Sequence, residues 1–434
     1  MSAGPRTRDI AISVESLDTD GFGTASLNQR RIRVKNGLPG EELLARVLKR
    51  GSGDWFAEAF DIRQAAAGRR TPPCEYFPRC GGCQMQHIDH ADQVALKQRR
   101  LLEALQAEQV VPQQVLEPQW GEGLHYRTRA RLGVRVVDGE VLIGFRESFS
   151  GRVMRMTYCR TLIEAFADLL EPLRQLIGGL SSPTAIPQVE LAAGDDSQAI
   201  VLRHLVPLTP EDDTLLENFS NRHGLALFRQ ASRRDLIAPP GAGARLLSYA
   251  NPDLDLRFEF LPWEFTQVNL AMNRRLVAAA IRGLAPGQGS PVVDLFCGIG
   301  NFSLALARSG ARVIGYESDA SAVARAQNNA QLNRLDTRCE FVLSDLYDRD
   351  CDRLAETEYM LLDPPRSGAG PNLPKWIGGD HLRRVAYVSC EPGTFAADAK
   401  VLAERGFVLE QTGIFDMFPQ TAHVETLGVF SRAW

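Results

Sequence analysis

The chain has 434 residues, of which 44% are hydrophobic and 24% charged, and its formal net charge is −4. This composition excludes collagen-like and disordered chains, and no apolar run approaches the roughly 18 residues that a membrane span needs. The first ten residues, MSAGPRTRDI, lack the apolar core of a signal peptide. A cytoplasmic protein is therefore expected, in which the eight cysteines bind metal, catalyse or lie buried rather than form disulfides.

The charge is distributed unevenly along the chain. Residues 1–160 contain 24 Lys and Arg against 19 Asp and Glu, and the remaining residues contain 25 against 34. A basic first part favours a polyanionic partner in that region. Solvated surface charge explains the same asymmetry equally well.

The first stretch of the chain, residues 9–64, has the pattern of short strands. Apolar and polar residues alternate over 10–14, and the dipeptides DG at 20–21 and NG at 36–37 are typical of turns. About five short strands in this space predict a small closed barrel of the OB type, a common platform for oligonucleotides. The stretch resembles a TRAM domain, the small RNA-binding barrel attached to RNA-modifying enzymes, and we assign residues 1–67 to it.

A group of cysteines follows the barrel. The segment CEYFPRCGGC and the only other cysteine before the last third of the chain supply four thiols: Cys74, Cys80, Cys83 and Cys159. Four thiolates suit either a structural zinc ion or a [4Fe–4S] cluster. Zinc sites more often use two closely spaced pairs, and only one pair here is closely spaced. His87 and His90 are less favoured ligands, because four thiols suffice.

Two patterns fill the middle of the chain. Residues 91–109 carry apolar side chains near a helical period, which predicts a helix. In HYRTRARLGVRV three arginines recur at every second position: Arg127, Arg129 and Arg131. A strand would place all three on one face, opposite Thr128, Ala130 and Leu132. A solvated sheet edge explains this spacing, but beside the barrel we favour three guanidiniums aligned for phosphates.

From about residue 261 the pattern becomes strands alternating with helices, which predicts a mostly parallel, Rossmann-like α/β sheet. Five apolar runs each end on a chemically distinctive residue: Asp294, Glu317, Asp345, Asp363 and Cys390. Ligands of doubly wound sheets bind at the carboxyl ends of the strands, so these side chains are expected to face one crevice. Helix capping by Asp294 and Glu317, or simple burial of Cys390, are the alternatives. Cys297, Cys339 and Cys351 are expected to be uninvolved.

The first two strand ends point to a cofactor. DLFCGIGNFSLALA has a glycine-bearing turn between a strand and a helix, but it lacks the third glycine of the dinucleotide fingerprint. Glu317, 23 residues after Asp294, is placed to accept hydrogen bonds from ribose hydroxyls. A ligand with a ribose and no required phosphate fits S-adenosylmethionine.

The later strand ends point to a reaction. Asp-Pro-Pro-Arg resembles the Asp-Pro-Pro-Tyr of amino-group methyltransferases, but Arg366 replaces the aromatic residue that stacks on the target base. Cys390 instead suggests a carbon target, because a thiolate that adds to C6 of a pyrimidine makes C5 nucleophilic. A base must then remove the C5 proton, and HVET near the C-terminus offers Glu425.

Five motifs, FTQVN, DLFCGIGNFSL, LLDPPR, VSCEP and HVET, resemble those of the RNA uracil-C5 methyltransferase family, in particular its TRAM-containing branch that modifies 23S ribosomal RNA. The resemblance implies Cys390 as the nucleophile, Glu425 as the proton acceptor and Phe265 near the target base. It implies six contacts with S-adenosylmethionine: Gln267, Phe296, Asn301, Glu317, Asp345 and Asp363. It also favours a [4Fe–4S] cluster at the four cysteines.

We therefore expect a barrel in residues 1–67, a central α+β domain with the metal cluster in 68–260, and a methyltransferase domain in 261–434. The resemblance implies that the helical segment near 91–118 packs with the last of these. The expected activity is methylation of a uridine in 23S ribosomal RNA by a monomer without membrane contact. The alternatives are an RNA cytosine-C5 methyltransferase, a non-catalytic iron–sulfur RNA-binding protein and an iron–sulfur redox protein.

Overall fold

The structure is a computed structural model and describes residues 9–231, 236–237, 246–348 and 357–432. Cys351, expected to be uninvolved, lies outside the described residues. Within those ranges no helix has both the length and the apolar character needed to cross a membrane.

The first sheet curls round until its ends meet. Its six strands are β1 (Asp9–Ser13), β2 (Ser16–Leu17), β3 (Gly23–Leu27), β4 (Arg30–Lys35), β5 (Glu42–Arg50) and β6 (Trp55–Gln64). Their order is β1-β5-β6-β4-β3-β2, yet the two outermost strands are consecutive in the chain. The backbone N–H of Glu15, between them, donates to the carbonyl of Thr24 in β3 at 2.7 Å. The sixth strand, beyond the five expected, is the short β2 that continues β1 past this bend.

The predicted helix is observed as α1 (His90–Ala107), and a short strand, β7 (Gln114–Val115), follows it. The helix begins after Asp89, whose side chain accepts a hydrogen bond from the N–H of Ala91 at 3.1 Å. The cysteine-bearing segment before α1 is irregular apart from isolated bridges.

A second six-stranded sheet occupies the middle of the chain, in the order β13-β12-β11-β10-β8-β9. Its strands are β8 (Arg129–Val137), β9 (Glu140–Gly144), β10 (Gln188–Ala193), β11 (Gln198–Arg203), β12 (Ala226–Gln230) and β13 (Leu236–Ile237). Three helices accompany it: α2 (Glu164–Ala167), α3 (Leu170–Gly178) and α4 (Pro210–His223). The hairpin of β14 (Leu247–Asn251) and β15 (Leu256–Phe260) leads to the third sheet.

The third sheet has eight strands in the order β18-β17-β16-β19-β20-β22-β21-β7. The new strands are β16 (Pro291–Leu295), β17 (Arg312–Glu317), β18 (Cys339–Leu343), β19 (Tyr359–Leu362), β20 (Arg384–Ser389), β21 (Phe407–Phe415) and β22 (Glu425–Arg432). The first five strands in this order are parallel, and β22 runs against its neighbours β20 and β21. The sheet is therefore mostly parallel, as expected, with β22 as its one antiparallel strand in the described part of the chain.

Helices cover both faces of this sheet. They are α5 (Leu270–Leu284), α6 (Ser303–Arg308), α7 (Ala320–Leu332), α8 (Leu373–Trp376) and α9 (Pro392–Glu404). The side chains of α5, α6 and α7 share one apolar core with the sheet, whereas α1, α8 and α9 share another. A sheet covered on both faces needs nearly continuous apolar strands, and in β20 residues 385–389 are all buried. Residues 90–115 thus belong to this layer, because α1 packs on α9 and β7 pairs with β21.

Candidate active site

Four of the five distinctive residues stand at the carboxyl ends of adjacent parallel strands. Glu317 is the last residue of β17, and Asp345 lies two residues beyond β18. Asp363 directly follows β19, and Cys390 directly follows β20. They line one edge of the sheet, as the sequence predicted.

Asp294 does not face the crevice. It is fully buried within β16, and its Oδ2 accepts a hydrogen bond from the hydroxyl of Ser303 at 2.5 Å. Its Oδ1 has no partner in the described part of the chain. Burial raises the pKa of Asp294 to about 7, and the charges of Asp363 and Glu317 act in the same direction. The expectation that this carboxylate faces the crevice is corrected, because it is buried within β16 and bonds to Ser303 at the start of α6.

Glu317 is held by the turn that it faces. Its Oε2 accepts from the N–H of Gly298 at 3.1 Å, and its Oε1 accepts from the N–H groups of Ser318 at 2.7 Å and Asp319 at 3.0 Å. Asp319, not Glu317, caps α7. The capping alternative for Glu317 is therefore wrong, and its carboxylate is fixed beside the glycine-bearing turn.

Phe296 directly precedes this turn, and Asp345 follows β18. Phe296 has a φ of 66°, a left-handed conformation that is uncommon for a bulky residue and often found at functional sites. Its ring lies 5.8 Å from the ring of Tyr347 and 6.1 Å from that of Trp376. Asp345 is exposed, and its Oδ1 accepts from the N–H of Tyr347 at 3.0 Å.

Asn301 is engaged within the protein. Its amide and that of Asn273 exchange two hydrogen bonds of 3.0 Å, and its oxygen also accepts from the hydroxyl of Tyr249 at 3.0 Å. Its oxygen thus accepts two hydrogen bonds, whereas its NH2 group gives one of its two hydrogens to Asn273.

The FTQVN loop is held at the surface by hydrogen bonds on both sides. Phe265 is 72% exposed, and Gln267 is half-buried. The guanidinium of Arg129 donates to the carbonyl of Pro262 at 2.7 Å and to the carbonyl of Glu264. It also donates to the hydroxyl of Thr266. On the other side, the carboxylate of Glu264 accepts from Arg325 at 3.0 Å.

The three arginines do not form a shared face for phosphates. Arg129 is occupied by the FTQVN loop, and Arg127 donates its Nε–H to the carbonyl of Arg129 at 2.8 Å. Arg131 is 70% exposed but pairs with Glu190 at 3.0 Å. The regular strand begins at Arg129, but the alternation of buried and partly exposed side chains extends back to Arg127. The opposite face is buried as predicted, with Thr128, Ala130 and Leu132 in the interior.

Cys390 and Glu425 are brought opposite one another by strand pairing. β20 and β22 are antiparallel with Ser389 opposite Thr426, and the next step of this register opposes Cys390 to Glu425. Burial raises the pKa of Cys390 to about 11, and the charge of Glu425 acts in the same direction, whereas Arg366 opposes it. Burial also raises the pKa of Glu425 well above its usual range. A nucleophile and a potential base thus share a partly desolvated corner.

Two further residues of this corner were not predicted as site residues. The Arg366 guanidinium donates to Nδ1 of His423 at 2.8 Å, and burial lowers the pKa of His423 to about 4. A neutral imidazole is needed to accept this bond. The signal in the sequence was their position, since Arg366 ends the DPPR motif and His423 opens HVET.

The four predicted metal ligands line one cavity together with Phe77, Phe145 and Met156: Cys74, Cys80, Cys83 and Cys159. All four thiols are free, and burial raises the pKa of Cys80 to about 12. Across the described ranges no group of three or more Cys, His, Asp or Glu side chains could hold a single metal ion. The four cysteines therefore share one cavity without meeting the geometry of a single-ion site in the described ranges.

The two histidines beyond the cysteines do not line this cavity. His90 bonds through Nε2 to Asp416 at 2.8 Å. His87 is fully buried against Phe77, at 5.3 Å between ring centroids. Of the cysteines expected to be uninvolved, Cys297 is buried in the core and Cys339 is half-buried.

Residues 249–433 match the family model described as tRNA (Uracil-5-)-methyltransferase. A relative from Aromatoleum aromaticum is 41% identical over 431 residues, which cover 96% of this chain and 99% of the relative. A second relative, from Hahella chejuensis, is 41% identical over 98% of this chain and 97% of its own length. Both carry the name 23S rRNA (uracil(1939)-C(5))-methyltransferase RlmD.

A solved structure shares the fold over the whole length. It is the Pyrococcus abyssi tRNA (uracil-54, C5)-methyltransferase in complex with S-adenosyl-L-homocysteine, and it covers 97% of this chain and 100% of its own with a TM-score of 0.76. The sequence identity is 22%, so this likeness shows the fold alone.

Proposed function

The chain belongs to the RNA uracil-C5 methyltransferase family, and from that premise we propose that it transfers a methyl group from S-adenosylmethionine to C5 of a uridine in 23S ribosomal RNA. The observation that carries this proposal is the placement of Cys390 opposite Glu425 at the carboxyl edge of the sheet. We place the reaction in the cytoplasm and in a single chain.

The strand ends beside this pair are proposed to hold S-adenosylmethionine. The Glu317 carboxylate, fixed by three backbone N–H groups, is suited to the ribose hydroxyls. Phe296 offers a ring and Asp345 an exposed carboxylate. Gln267, Asn301 and Asp363 complete the proposed contacts, and Asn301 can donate its second amide hydrogen while it keeps its bond to Asn273.

The first chemical steps need the sulfur of Cys390. Its thiolate adds to C6 of the uracil, forming an S–C6 bond while the C5=C6 electron pair moves toward C5 and O4. C5 then attacks the methyl carbon of S-adenosylmethionine, the methyl–sulfonium bond breaks, and S-adenosylhomocysteine is released. Because the pKa of Cys390 is about 11, the free protein holds a thiol, and the nearby Arg366 cation favours its ionisation.

The closing step needs a base. Glu425 takes the proton from C5, the C5=C6 bond re-forms, and the C6–S bond breaks to return the thiolate. The raised pKa of Glu425 gives its carboxylate a high proton affinity once it is ionised. Burial of this residue therefore suits it to accept a proton from carbon.

Contacts with RNA are proposed for three parts of the chain. Phe265, exposed on its braced loop, is suited to stack near the target base. The curled sheet in residues 1–67 is proposed to be a TRAM domain that binds the RNA backbone. Arg131 and, with part of its guanidinium, Arg127 are proposed to contact phosphates.

The four cysteines are proposed to bind a [4Fe–4S] cluster within a central domain spanning 68–260. In such a cluster each thiolate binds a different iron, so its sulfurs enclose a volume, whereas the ligands of one zinc ion converge. The support for the cluster is the donor set, since in the part of the chain that the structure describes four thiols and no other titratable ligand line one cavity among apolar side chains. Its bound state would supply a rigid anchor between residues 74–83 and Cys159.

The test separates the two chemical roles. Glu425→Gln is expected to accumulate a methylated RNA–protein adduct that survives denaturing electrophoresis, because the closing elimination slows by roughly 10²–10⁴-fold. Cys390→Ala is expected to form neither adduct nor product. RNA with 5-fluorouridine at the target should trap the wild-type protein, since fluorine cannot leave as a proton. Unimpaired turnover by Glu425→Gln would assign the base to another residue.

The substrate is tested in cells. Ribosomal RNA from a strain lacking this gene is expected to lose one 5-methyluridine from 23S RNA, and the wild-type gene should restore it. Loss of a 5-methylcytidine instead would contradict the uridine assignment.

A further inference from the structure

One face of α1 is polar although it is covered by protein. His90, Gln93, Lys97 and Arg100 recur at helical spacing and form what we call the polar stripe of α1. Gln93 and Lys97 are fully buried, and Val94, Leu101 and Leu105 form the neighbouring apolar stripe.

Every member of the polar stripe bonds to one segment, residues 416–422. His90 and Lys97 bond to the two carboxylate oxygens of Asp416 at 2.8 and 2.6 Å. Lys97 also donates to the carbonyl of Phe418 at 3.1 Å. Gln93 bonds to residue 420, and Arg100 donates to the carbonyl of residue 422 at 2.7 Å.

Gln93 makes the most contacts of the stripe. Its amide nitrogen donates to the side-chain oxygen of Gln420 at 3.0 Å, and its oxygen accepts from the N–H of Gln420 at 3.0 Å. The same nitrogen donates to the carbonyls of Met85 and Ile88, each at 3.0 Å. The carbonyl of Gln420 in turn accepts from the N–H groups of Gln84 and Met85. The segment just after the third cysteine is therefore joined to residues 416–422 through Gln420.

A stripe of this kind does more than stabilise the fold. Buried ion pairs and polar networks are often no more stabilising than well-packed apolar residues, but they select one arrangement of their partners. Here that arrangement is the path of residues 416–422, which lead directly to His423 and Glu425. Gln420 has a φ of 68°, so its strained backbone depends on surrounding contacts.

We propose that the polar stripe of α1 positions Glu425 for removal of the C5 proton and that Gln93 is its central positioning residue. This inference rests on the proposed function. Cys390 follows β20, whereas Glu425 is the first residue of β22, three residues after the braced segment, so the segment sets the direction from which the chain enters β22 at Glu425. Loosening the segment is therefore expected to impair the closing elimination and to spare the thiolate addition.

The test compares two glutamines of α1. Gln93→Met keeps the length of the side chain and removes its hydrogen bonds to residues 85, 88 and 420. Gln98→Met is the matched control, because Gln98 donates to the carbonyl of Leu116 at 3.3 Å and does not reach the braced segment. The substrates are 23S ribosomal RNA from a strain lacking the gene and the same RNA made with 5-fluorouridine.

Gln93→Met is expected to lower methylated product by about 10–100-fold while methylated covalent adduct accumulates, because small misplacement of a base is costly. Its rate of trapping by 5-fluorouridine RNA should stay within about 2-fold of wild type. Gln98→Met should match the wild type in both measurements. Partial unfolding would lower adduct and product together and leave their ratio unchanged.

A Gln93→Met protein whose adduct-to-product ratio equals that of Gln98→Met would overturn the positioning role. If Gln93→Met does not fold, Arg100→Gln tests the same stripe at its half-buried end, with Glu391→Gln as the control for the 3.9 Å ion pair that Arg100 also loses. A ratio in Arg100→Gln equal to that in Glu391→Gln would likewise overturn it. Failure of the proposed function is distinct, since the wild-type protein would then form no adduct with 5-fluorouridine RNA.

Discussion

In the free protein, Cys390 should react slowly with alkylating reagents at neutral pH. Burial, reinforced by the charge of Glu425, raises its pKa to about 11. At pH 8 about one thiol in 1,000 is then ionised, against roughly one in four for an ordinary cysteine with a pKa near 8.5. The more basic thiolate is intrinsically more nucleophilic by about 10-fold, which leaves a net slowing of about 20-fold.

The assay is labelling of Cys390 by iodoacetamide between pH 7 and 9.5, quantified on its peptide by mass spectrometry. The rate is expected to rise about tenfold per pH unit across this range, because the thiolate fraction rises in that proportion well below the pKa. Labelling of the Cys390→Ala variant shows which part of the iodoacetamide signal comes from the other cysteines. A rate that levels off below pH 8 would refute the reasoning.

Two substitutions should move this rate in opposite directions. Glu425→Gln removes a negative charge that disfavours the thiolate, so the pKa of Cys390 falls and labelling at pH 9 accelerates. Arg366→Gln removes a cation that favours the thiolate, so the pKa rises and labelling slows. Shifts of the same sign in both variants would show that another group controls this thiol.

Three further outcomes are expected. Cys159→Ala should lose protein-bound iron from anaerobically purified protein, measured by metal analysis, and stoichiometric zinc without iron in the wild type would contradict the cluster. Lys97→Met leaves Asp416 buried without its lysine and should lower the free energy of unfolding by about 3–5 kcal/mol in urea titrations. Deleting residues 1–64 should weaken RNA binding and its salt dependence but not binding of S-adenosylmethionine, and an unchanged RNA affinity would refute the role of the barrel.

The strand ends were predictable because local pattern determines them. An apolar run buried on both faces must be a strand of this layer, and the residue after it must stand at the sheet edge. Asp363 and Cys390 follow from this rule alone, and Glu317 is the last residue of its strand. Asp294 is followed by another residue of β16 and is fully buried.

The partners of polar side chains were not predictable in the same way. Alternation correctly assigned Arg129 to the face opposite Thr128, but its guanidinium bonds to a loop about 135 residues further along the chain. Likewise, the apolar stripe of α1 predicted the helix, whereas Gln93 and Lys97 find partners more than 300 residues away. Such contacts depend on how whole layers pack together, so short-range periodicity in the sequence cannot predict them. The strand β7, only two residues long, gives no periodic signal either.

The pairing of β7 with β21 also constrains the order in which a newly made chain can fold. The curled first sheet uses partners within residues 9–64, so it can form while synthesis continues. The layer containing α1 must wait, because Gln114 pairs with Gln411 and Lys97 needs Asp416. A chain that ends before residue 416 would therefore contain the folded first sheet, but the polar stripe of α1 would lack its partners. Proteases would degrade such an incomplete chain as an unfolded protein. Methyl transfer would become possible only after translation is nearly complete.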